Sequence, residues 1–276
     1  MANVEILSVG NELLIGKTLN TNASWMAKRL TALGVNVRRI TTVSDNVEEI
    51  AAAVNEFLER NSDFLITTGG LGPTFDDKTL EGVARALNVL VDVNEEAFKM
   101  VEKKYKTYAA ERGLKKLDLT EARLKMARLP NGAKALPNSV GTAPGVLIKR
   151  GKTTIVSLPG VPSEMESIFE ISLEPLLKKM IGKATFFETS LGVSGVMESD
   201  LAPIIDKVMH DNPFVYIKSH PRGRESIPQI ELHLSTTAER AGTAKSLVSR
   251  SVVQITKIVR ARGGKVSRFN ANQSLQ

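Results

Sequence analysis

A glycine-rich stretch joins a predicted strand to a predicted helix in the first third of the chain: Thr67-Thr68-Gly69-Gly70-Leu71-Gly72-Pro73-Thr74-Phe75-Asp76-Asp77-Lys78-Thr79. The apolar run before it, Phe64–Ile66, is typical of a buried strand, and residues 80–87 after it have the apolar spacing of a helix. The glycines let the backbone approach a ligand closely, and the N-terminus of the helix attracts an anion. The pattern therefore predicts a phosphate-binding loop.

Two adjacent carboxylates, Asp76 and Asp77, stand at the end of this loop. At a separation of about 4 Å and an effective dielectric constant of about 20, a carboxylate would repel a phosphate in the loop by roughly 4 kcal/mol. The pair therefore favours a divalent metal between the carboxylates and the phosphate. The same stretch also fits a capping box, in which Thr74 caps the helix and Asp77 interacts with its dipole. On this stretch alone, a phosphate site and a plain helix start are both open.

Length and composition limit the classes of protein. A chain of 276 residues predicts two domains, each with a core of its own. The absence of cysteine excludes disulfides, thiolate metal sites and cysteine nucleophiles. The three histidines (His210, His220 and His233) lie far from the loop in sequence, which argues against a serine–histidine triad or a histidine-rich metal site. No signal peptide or apolar run of transmembrane length is evident, so we expect a cytoplasmic protein without a membrane partner.

Strands alternate with helices through residues 1–182, which predicts βαβ units in a three-layer α/β domain with a mostly parallel sheet. Ligands on such sheets bind at the carboxyl ends of the strands. The loops Gly10–Gly16 and Gly69–Gly72 both follow predicted strands, so we expect them to face one pocket.

Helix caps are expected at Asp45 with Asn46 and at Ser163 with Glu166. A Lys-rich helical excursion at residues 94–128 interrupts the pattern and has no chemistry assigned to it. Its apolar residues are expected to serve packing; they are Phe98, Val101, Tyr105 and Tyr108.

Residues 183–276 form a second, smaller α+β domain in this interpretation. The predicted elements are a strand at 186–193, a helix at 198–210, strands at 214–218 and 229–236, and a helix at 239–261. Arg222, Gly223 and Arg224 fall in or beside the connection between the last two strands.

With these segments laid out, the sequence resembles the CinA family of competence-damage-inducible proteins, whose first domain is related to the molybdopterin-binding domains of MoaB, MogA and MoeA. The resemblance is carried by four segments: Gly10–Gly16 with Asn20 and Asn22; Thr68–Thr79; Asn138 with Gly141–Gly145; and Leu158–Met165. It implies a molybdopterin-binding-like first domain followed by a KH-like module. Full-length members continue into a nicotinamide-nucleotide amidase domain, which we expect this chain to lack. Asn11 replaces a threonine of many relatives, and the Arg222–Glu225 connection is longer and more basic than the family pattern.

The resemblance implies metal-dependent hydrolysis of ADP-ribose to AMP and ribose 5-phosphate. Asp76 and Asp77 would hold Mg²⁺, Mn²⁺ or Co²⁺, and Glu12 would add a metal contact or orient the attacking water. The substrate contacts that the resemblance implies are Gly10, Asn11, Asn20, Asn22, Gly69, Gly70, Gly72, Thr74, Lys78, Asn138, Thr142, Gly145, Pro159, Gly160 and Glu164.

Other interpretations stay open for these residues and for the chain. Asn20 and Asn22 could simply cap a helix, and Lys78 and Glu12 could be ordinary solvated charges. A molybdopterin-binding or molybdenum-cofactor-related protein is the first functional alternative. An RNA-binding module is the second; it is disfavoured because the basic second domain has only one tyrosine, Tyr216, for stacking. Nucleic acid is therefore not an expected partner. We expect the chain to assemble with copies of itself as a homo-oligomer.

Overall fold

The computed structural model describes residues 2–113, 118–181, 185–222 and 229–268. The chain divides into two compact units, the first containing residues 1–31 and 35–182 and the second residues 183–276 together with 32–34. None of the helices in the described ranges is both long and apolar enough to cross a membrane. The predicted connection at Gly223, Arg224 and Glu225 lies outside the described residues.

A mixed six-stranded sheet forms the centre of the first unit. The strands of this unit are β1 (Asn3–Val9), β2 (Asn36–Val43), β3 (Phe64–Thr68), β4 (Val91–Val93), β5 (Arg128–Pro130), β6 (Lys134–Leu136), β7 (Gly145–Arg150) and β8 (Thr153–Leu158). The main sheet has the order β2-β1-β3-β8-β7-β6. Pairing is parallel from β2 to β8 and antiparallel at the β8, β7 and β6 end. The predicted α/β class with a mostly parallel sheet is therefore confirmed.

Helices cover the sheet of the first unit. They are α1 (Asn11–Leu14), α2 (Thr21–Ala32), α3 (Val47–Glu59), α4 (Thr79–Leu87), α5 (Glu95–Glu111), α6 (Glu121–Lys125), α7 (Pro162–Ile168) and α8 (Glu174–Ile181), with a short π-helical turn at Phe169–Leu173. One core cluster packs Leu7 and Leu65 of the sheet against Ile50 and Phe57 of α3 and Val83 of α4. Every residue of β3 is buried, as in strands that are covered on both faces.

Of the two helix caps predicted at Asn46 and Ser163, one is confirmed and the other is wrong. The side chain of Asn46 caps α3 by accepting hydrogen bonds from the backbone of Glu48 and Glu49, as the sequence predicts. The expected capping box of Ser163 and Glu166 is wrong, because α7 begins at Pro162 and Ser163 already lies inside its first turn.

A buried ion pair joins β1 to the end of α3. Glu5 is only 3% exposed, and its carboxylate accepts hydrogen bonds from Arg60 Nη2 (2.7 Å) and Ser62 Oγ (2.8 Å). Burial opposes the charged form of Glu5, but the bonds from Arg60 and Ser62 outweigh it and hold the pKa of this carboxyl below its ordinary value. The charge on Glu5 therefore contributes to stability at neutral pH.

The excursion at residues 94–128 folds back beside the glycine-rich loop. Strands β4 and β5 pair in an antiparallel ribbon, and a core cluster combines Val101 of α5 and Leu129 of β5 with Leu71 of the loop. The predicted packing role of Phe98 and Tyr105 agrees with their partly buried positions against this cluster. The excursion thus brings its basic side chains next to the loop.

The second unit is a two-layer α+β module. Its elements are β9 (Thr185–Ser194), α9 (Glu198–Asp211), β10 (Tyr216–Arg222), β11 (Gln229–Ala238), α10 (Ala241–Ala261) and β12 (Lys265–Arg268). The antiparallel sheet has the order β10-β11-β9-β12, and its core packs Leu232 and Leu234 against Leu201 of α9 and Ile255 of α10. Within the described part of this unit, β12 is the one element that the sequence does not predict.

Candidate functional site

The glycine-rich loop begins with a close backbone crossing at Gly69. The φ angle of Gly69 is +103°, and a Cβ atom built there would lie 2.1 Å from the carbonyl oxygen of Val9. Thr79 Oγ1 donates a hydrogen bond to the Gly69 carbonyl (2.7 Å), and the Thr79 amide donates to the Gly70 carbonyl (3.3 Å). Any side chain at position 69 is excluded by backbone, so the loop needs glycine here.

A small cavity of about 120 Å³, here called the strand-end cavity, lies at the carboxyl ends of β1, β3 and β8. Its lining includes five of the residues that were predicted to belong to the site: Glu12, Asn20, Asn22, Gly69 and Gly160. This is the edge of a parallel sheet where ligands are expected.

Asn20 and Asn22 have different roles in this cavity. Asn20 Oδ1 accepts a hydrogen bond from the Ala23 amide at the start of α2, as a helix cap does (3.2 Å). Asn22 instead uses both hydrogens of its amide, one on Thr68 Oγ1 (3.0 Å) and one on the Gly160 carbonyl (2.8 Å). These bonds fix the orientation of the Asn22 amide. Its buried Oδ1 atom has no hydrogen-bond partner among the described residues.

Asp45 is a residue of this region that sequence reasoning assigned only to a helix start. Its Oδ2 atom accepts a hydrogen bond from the backbone amide of Asn11 (2.8 Å), while the Gly10 amide donates to the Val43 carbonyl (3.1 Å). The loop after β1 is therefore held by the loop after β2. Gly10 and Asn11 do not line the strand-end cavity. The position of Asp45 just after the neighbouring strand was the feature of the sequence that could have indicated this contact.

Thr74, Asp76 and Asp77 form a closed turn before the helix. Asp77 Oδ2 accepts hydrogen bonds from the amide (2.8 Å) and the hydroxyl (2.6 Å) of Thr74, and Asp76 Oδ1 also contacts that hydroxyl. The bond from Thr74 lowers the pKa of Asp76. The predicted Thr74 cap is wrong: α4 begins at Thr79, Lys78 occupies the cap position, and Asp77 turns back to Thr74.

A larger cavity of about 490 Å³, here called the loop cavity, lies beside the rest of the loop. Of the nominated residues it is lined by Gly70, Gly72, Asp77 and Lys78. It shares no lining residue with the strand-end cavity. The two predicted loops do meet in the strand-end cavity, through Glu12 and Gly69, but Gly70 and Gly72 line the loop cavity instead. The reason is that the loop turns after Gly69 and presents its two ends to different surroundings.

Three cations line the loop cavity, and they are held differently. Lys78 pairs with Glu81 (3.1 Å) and Arg128 with Glu121 (2.8 Å). The ammonium of Lys125, at the end of α6, instead contacts the carbonyl oxygen of Thr74. Burial lowers the pKa of Lys125 below its ordinary value, while the charge of Asp77 opposes the shift.

The described residues offer limited coordination for a metal. No group of three His, Cys, Asp or Glu side chains in the described ranges could hold an ion, so Glu12 does not join Asp76 and Asp77 as the sequence suggested. Two carboxylates that share the single proton of the Thr74 hydroxyl still favour a cation. Mg²⁺ commonly binds through one or two protein carboxylates and takes its other ligands from water and substrate phosphates. Asp76 and Asp77 could supply those carboxylates.

Asn138 and Glu164 hold a neighbouring loop rather than lining either cavity. Asn138 Nδ2 donates to the Ala143 carbonyl (2.8 Å) and to Glu164 Oε2 (2.7 Å), and its Oδ1 atom accepts from the amide of Gly141 (2.8 Å). Gly145 is a packing position, since a Cβ there would lie 2.8 Å from the Ile168 side chain. The nominated residues that line neither cavity are Gly10, Asn11, Thr74, Asp76, Asn138, Thr142, Gly145, Pro159 and Glu164.

Comparison with known proteins gives this site a family. Residues 5–179, which carry both cavities and all of these loops, match the model described as the probable molybdopterin binding domain. The chain belongs to this family. The match confirms the molybdopterin-binding-like fold of the first unit. It ends before the second unit, so the KH-like assignment of that unit stays a prediction.

Individual relatives of this molybdopterin-binding-family chain extend over both units. A protein of Pyrobaculum arsenaticum is 48% identical over 260 residues, which cover 94% of this chain and 95% of that protein, and one of Pyrobaculum calidifontis is 47% identical over 263 residues (95% and 97%). Among solved structures, the chain is similar to CinA, a protein of unknown function from Thermoplasma acidophilum. The two share 40% identity with a TM-score of 0.57, over 63% of this chain and 98% of CinA. The resemblance to CinA is thereby confirmed.

Proposed function

We propose that the strand-end cavity binds a phosphorylated pterin of the molybdopterin type. The observation that carries the proposal is the Oδ1 atom of Asn22, a buried acceptor that has no donor among the described residues, on a side chain that lines a cavity at the carboxyl edge of the sheet. A pterin ring carries amide and amino N–H groups, which are the donors that this acceptor lacks. The family description supports a pterin as the ligand.

The size of the cavity limits which part of the ligand it takes. A volume of about 120 Å³ is well below the roughly 300–1,000 Å³ of pockets that enclose a whole drug-sized molecule. The cavity would therefore receive the donor edge of the pterin ring. The phosphate would lie outside it, near the glycine-rich loop, where backbone N–H groups and the start of α4 favour an anion.

Replacing Asn22 by alanine is expected to weaken pterin binding about tenfold or more, since a hydrogen bond to a buried group contributes about 1–2 kcal/mol. Trp25 offers the measurement: it is the single tryptophan of the chain, lies one helical turn after Asn22 and packs edge-on against Phe169 (5.2 Å between ring centres). Its fluorescence can be titrated with anaerobically prepared molybdopterin.

Asn36→Ala is the matched control for this titration. Asn36 begins β2 at the amino end of the sheet, and its side chain donates to Asn3 Oδ1 (2.9 Å). We expect its pterin affinity to equal that of the unmodified protein. The proposal fails if the unmodified protein shows no saturable binding, or if Asn22→Ala, shown to be folded by circular dichroism, binds as tightly.

A second candidate function is metal-dependent hydrolysis of ADP-ribose. The observation in its favour is the convergence of Asp76 and Asp77 on one hydroxyl, which leaves two carboxylates in need of positive charge. These two residues would hold the metal, which would supply Lewis-acid polarisation of a phosphorus centre and a more acidic bound water. The chain's own contribution would be to orient the carboxylates through Thr74.

For this candidate, Asp77→Asn is expected to reduce the release of AMP from ADP-ribose by a factor of about 100 or more, because a metal contributes several kcal/mol of charge stabilisation. The asparagine still accepts the amide hydrogen bond of Thr74, so the turn survives. Product is measured by chromatography with Mg²⁺, Mn²⁺ or Co²⁺. Asp92→Asn, on the exposed face of β4, serves as the control. Absence of turnover with all three metals would rule hydrolysis out.

A further inference from the structure

A cavity of about 360 Å³, here called the ring cavity, lies in the second unit where the chain enters β10. Three of its lining residues are aromatic: Phe186 of β9, Phe214 just before β10, and Tyr216, the first residue of β10. Phe214 is 73% exposed and Tyr216 60% exposed, so both rings are accessible to a ligand. Tyr216 is the one ring that the sequence indicated for stacking, and the fold adds Phe186 and Phe214 to the same cavity.

The register of the sheet places hydroxyl groups between these rings. Tyr216 pairs with Ser235, and Phe186 pairs with Thr237. Paired residues of antiparallel strands project from the same face, so the four side chains share one face of the sheet. Ser235 and Thr237 are half-buried, and neither hydroxyl forms a hydrogen bond with another residue that the structure describes. Both hydroxyls are therefore available to a ligand.

The rest of the lining limits the charge and size of that ligand. Among the described residues no charged side chain lines the ring cavity, whose remaining wall contains Met209, Pro213 and Val215. An ionic group placed there would lose hydration without gaining a partner of opposite charge. The volume lies within the roughly 300–1,000 Å³ of small-molecule pockets. The cavity thus suits an uncharged group of small-molecule size.

A nucleobase has the two properties that this lining requires. Its flat faces stack on aromatic side chains, whatever the base, because every base has a π-face. Its edge carries ring nitrogen, amino and carbonyl groups, which can exchange hydrogen bonds with hydroxyls. A quaternary ammonium also binds to aromatic rings, but it would leave the two hydroxyls without partners.

We propose that the ring cavity binds the base of a nucleoside, with Phe214 stacking on the ring and Ser235 and Thr237 bonding to its edge. The site goes beyond the proposed pterin site, because its lining residues all belong to the second unit, whereas Asn22 belongs to the first. Since the interactions involve rings and hydroxyls, binding requires neither a phosphate group nor a metal.

The test is a calorimetric titration of the full chain with adenosine in the presence of EDTA. Phe214→Ala is expected to weaken binding at least about fivefold, the loss that follows when a stacking ring is removed. Phe214→Leu, which is apolar but has no ring, should weaken it similarly, and Phe214→Tyr should retain it. Met197→Ala is the matched control: Met197 is another exposed apolar residue of this unit (62%) but does not line the cavity. Its affinity should be unchanged.

Thr237→Val provides an independent variant, because valine keeps the branched shape of threonine in the strand and removes only the hydroxyl. Adenosine binding should weaken about threefold or more, as expected for the loss of one hydrogen bond. Choline and a single-stranded oligoadenylate are titrated in parallel. The proposal is overturned if adenosine does not bind, if choline binds more tightly than adenosine, or if oligoadenylate binds and adenosine does not.

The titrations also separate this site from the pterin site. Phe214→Ala should bind molybdopterin like the unmodified protein, as read from Trp25 fluorescence, and Asn22→Ala should bind adenosine normally. Adenosine binding that Asn22→Ala abolishes, or that Phe214→Ala leaves as tight as before, would overturn the ring cavity as the nucleoside site. Adenosine binding by a protein that fails to bind molybdopterin would support the ring cavity and overturn the pterin site alone.

Discussion

Gly69→Ala is expected to lower the free energy of unfolding by about 3 kcal/mol or more and to abolish ligand binding in the strand-end cavity. Two effects add at this position. A residue with a side chain is strained at a φ of +103°, and its Cβ would lie 2.1 Å from the Val9 carbonyl oxygen. The clash is with backbone, so β1 or the loop has to move. Urea denaturation measures the stability, and Trp25 fluorescence measures the binding.

Gly132→Ala separates strain from clash in this experiment. Gly132 also has a positive φ, +84°, but a Cβ there meets no atom within 4 Å. Only the conformational cost of about 1–2 kcal/mol is expected, with normal ligand binding. Equal destabilisation by the two substitutions would show that the approach of Gly69 to Val9 is unimportant.

Arg60→Met is expected to destabilise the protein by about 3 kcal/mol at neutral pH, because it leaves the carboxylate of Glu5 buried without its cation. Urea denaturation at several pH values is the measurement. Arg85→Met is the control, since Arg85 forms an exposed ion pair with Glu48. That substitution should cost less than about 1 kcal/mol.

The pH dependence gives Arg60→Met a second signature. In the unmodified protein the pKa of Glu5 lies below its ordinary value of 4.5, so the stability it contributes is present above about pH 4.5 and is lost as pH falls through the folded pKa. Without Arg60, only part of what opposes the burial of Glu5 remains, namely the Ser62 bond and the charge of Arg39. We therefore expect the pKa of Glu5 to rise and its contribution to stability above about pH 4.5 to be lost. The difference in stability between the two proteins should therefore shrink on acidification. A constant difference would contradict this role of Glu5.

Local patterns in the sequence predicted the elements of the fold but not how their ends meet. The alternation of strands and helices and the Asn46 cap depend on neighbouring residues, and both are found. The start of α4 depends instead on Thr79 bonding back to Gly69 across ten residues, which no spacing rule contains. Thr74 and Asp77 have the spacing of a capping box. The Thr74 amide donates to the Asp77 side chain and the Asp77 amide donates to the Thr74 carbonyl, but this turn lies about one helical turn before the start of α4.

The residues of the candidate site at the strand ends could be predicted from the sequence. The contact that the excursion makes with the glycine-rich loop could not. The carboxyl-edge rule correctly brings Asn22 and Gly69 together in one cavity. Lys125 contacts Thr74 from 51 positions away, through a segment whose sequence shows only charged helical character. Its role depends on the packing of α6 beside the loop, and tertiary contacts of this kind leave no periodic signal.

The bond between Asn138 and Glu164 leaves no room for a side chain at position 141. A Cβ atom there would lie 2.0 Å from the carboxyl group of Glu164, which Asn138 holds in place. A side chain at 141 would therefore have to displace this carboxyl group and break its bond to Asn138. The shape of one loop thus depends on the residue type in the other.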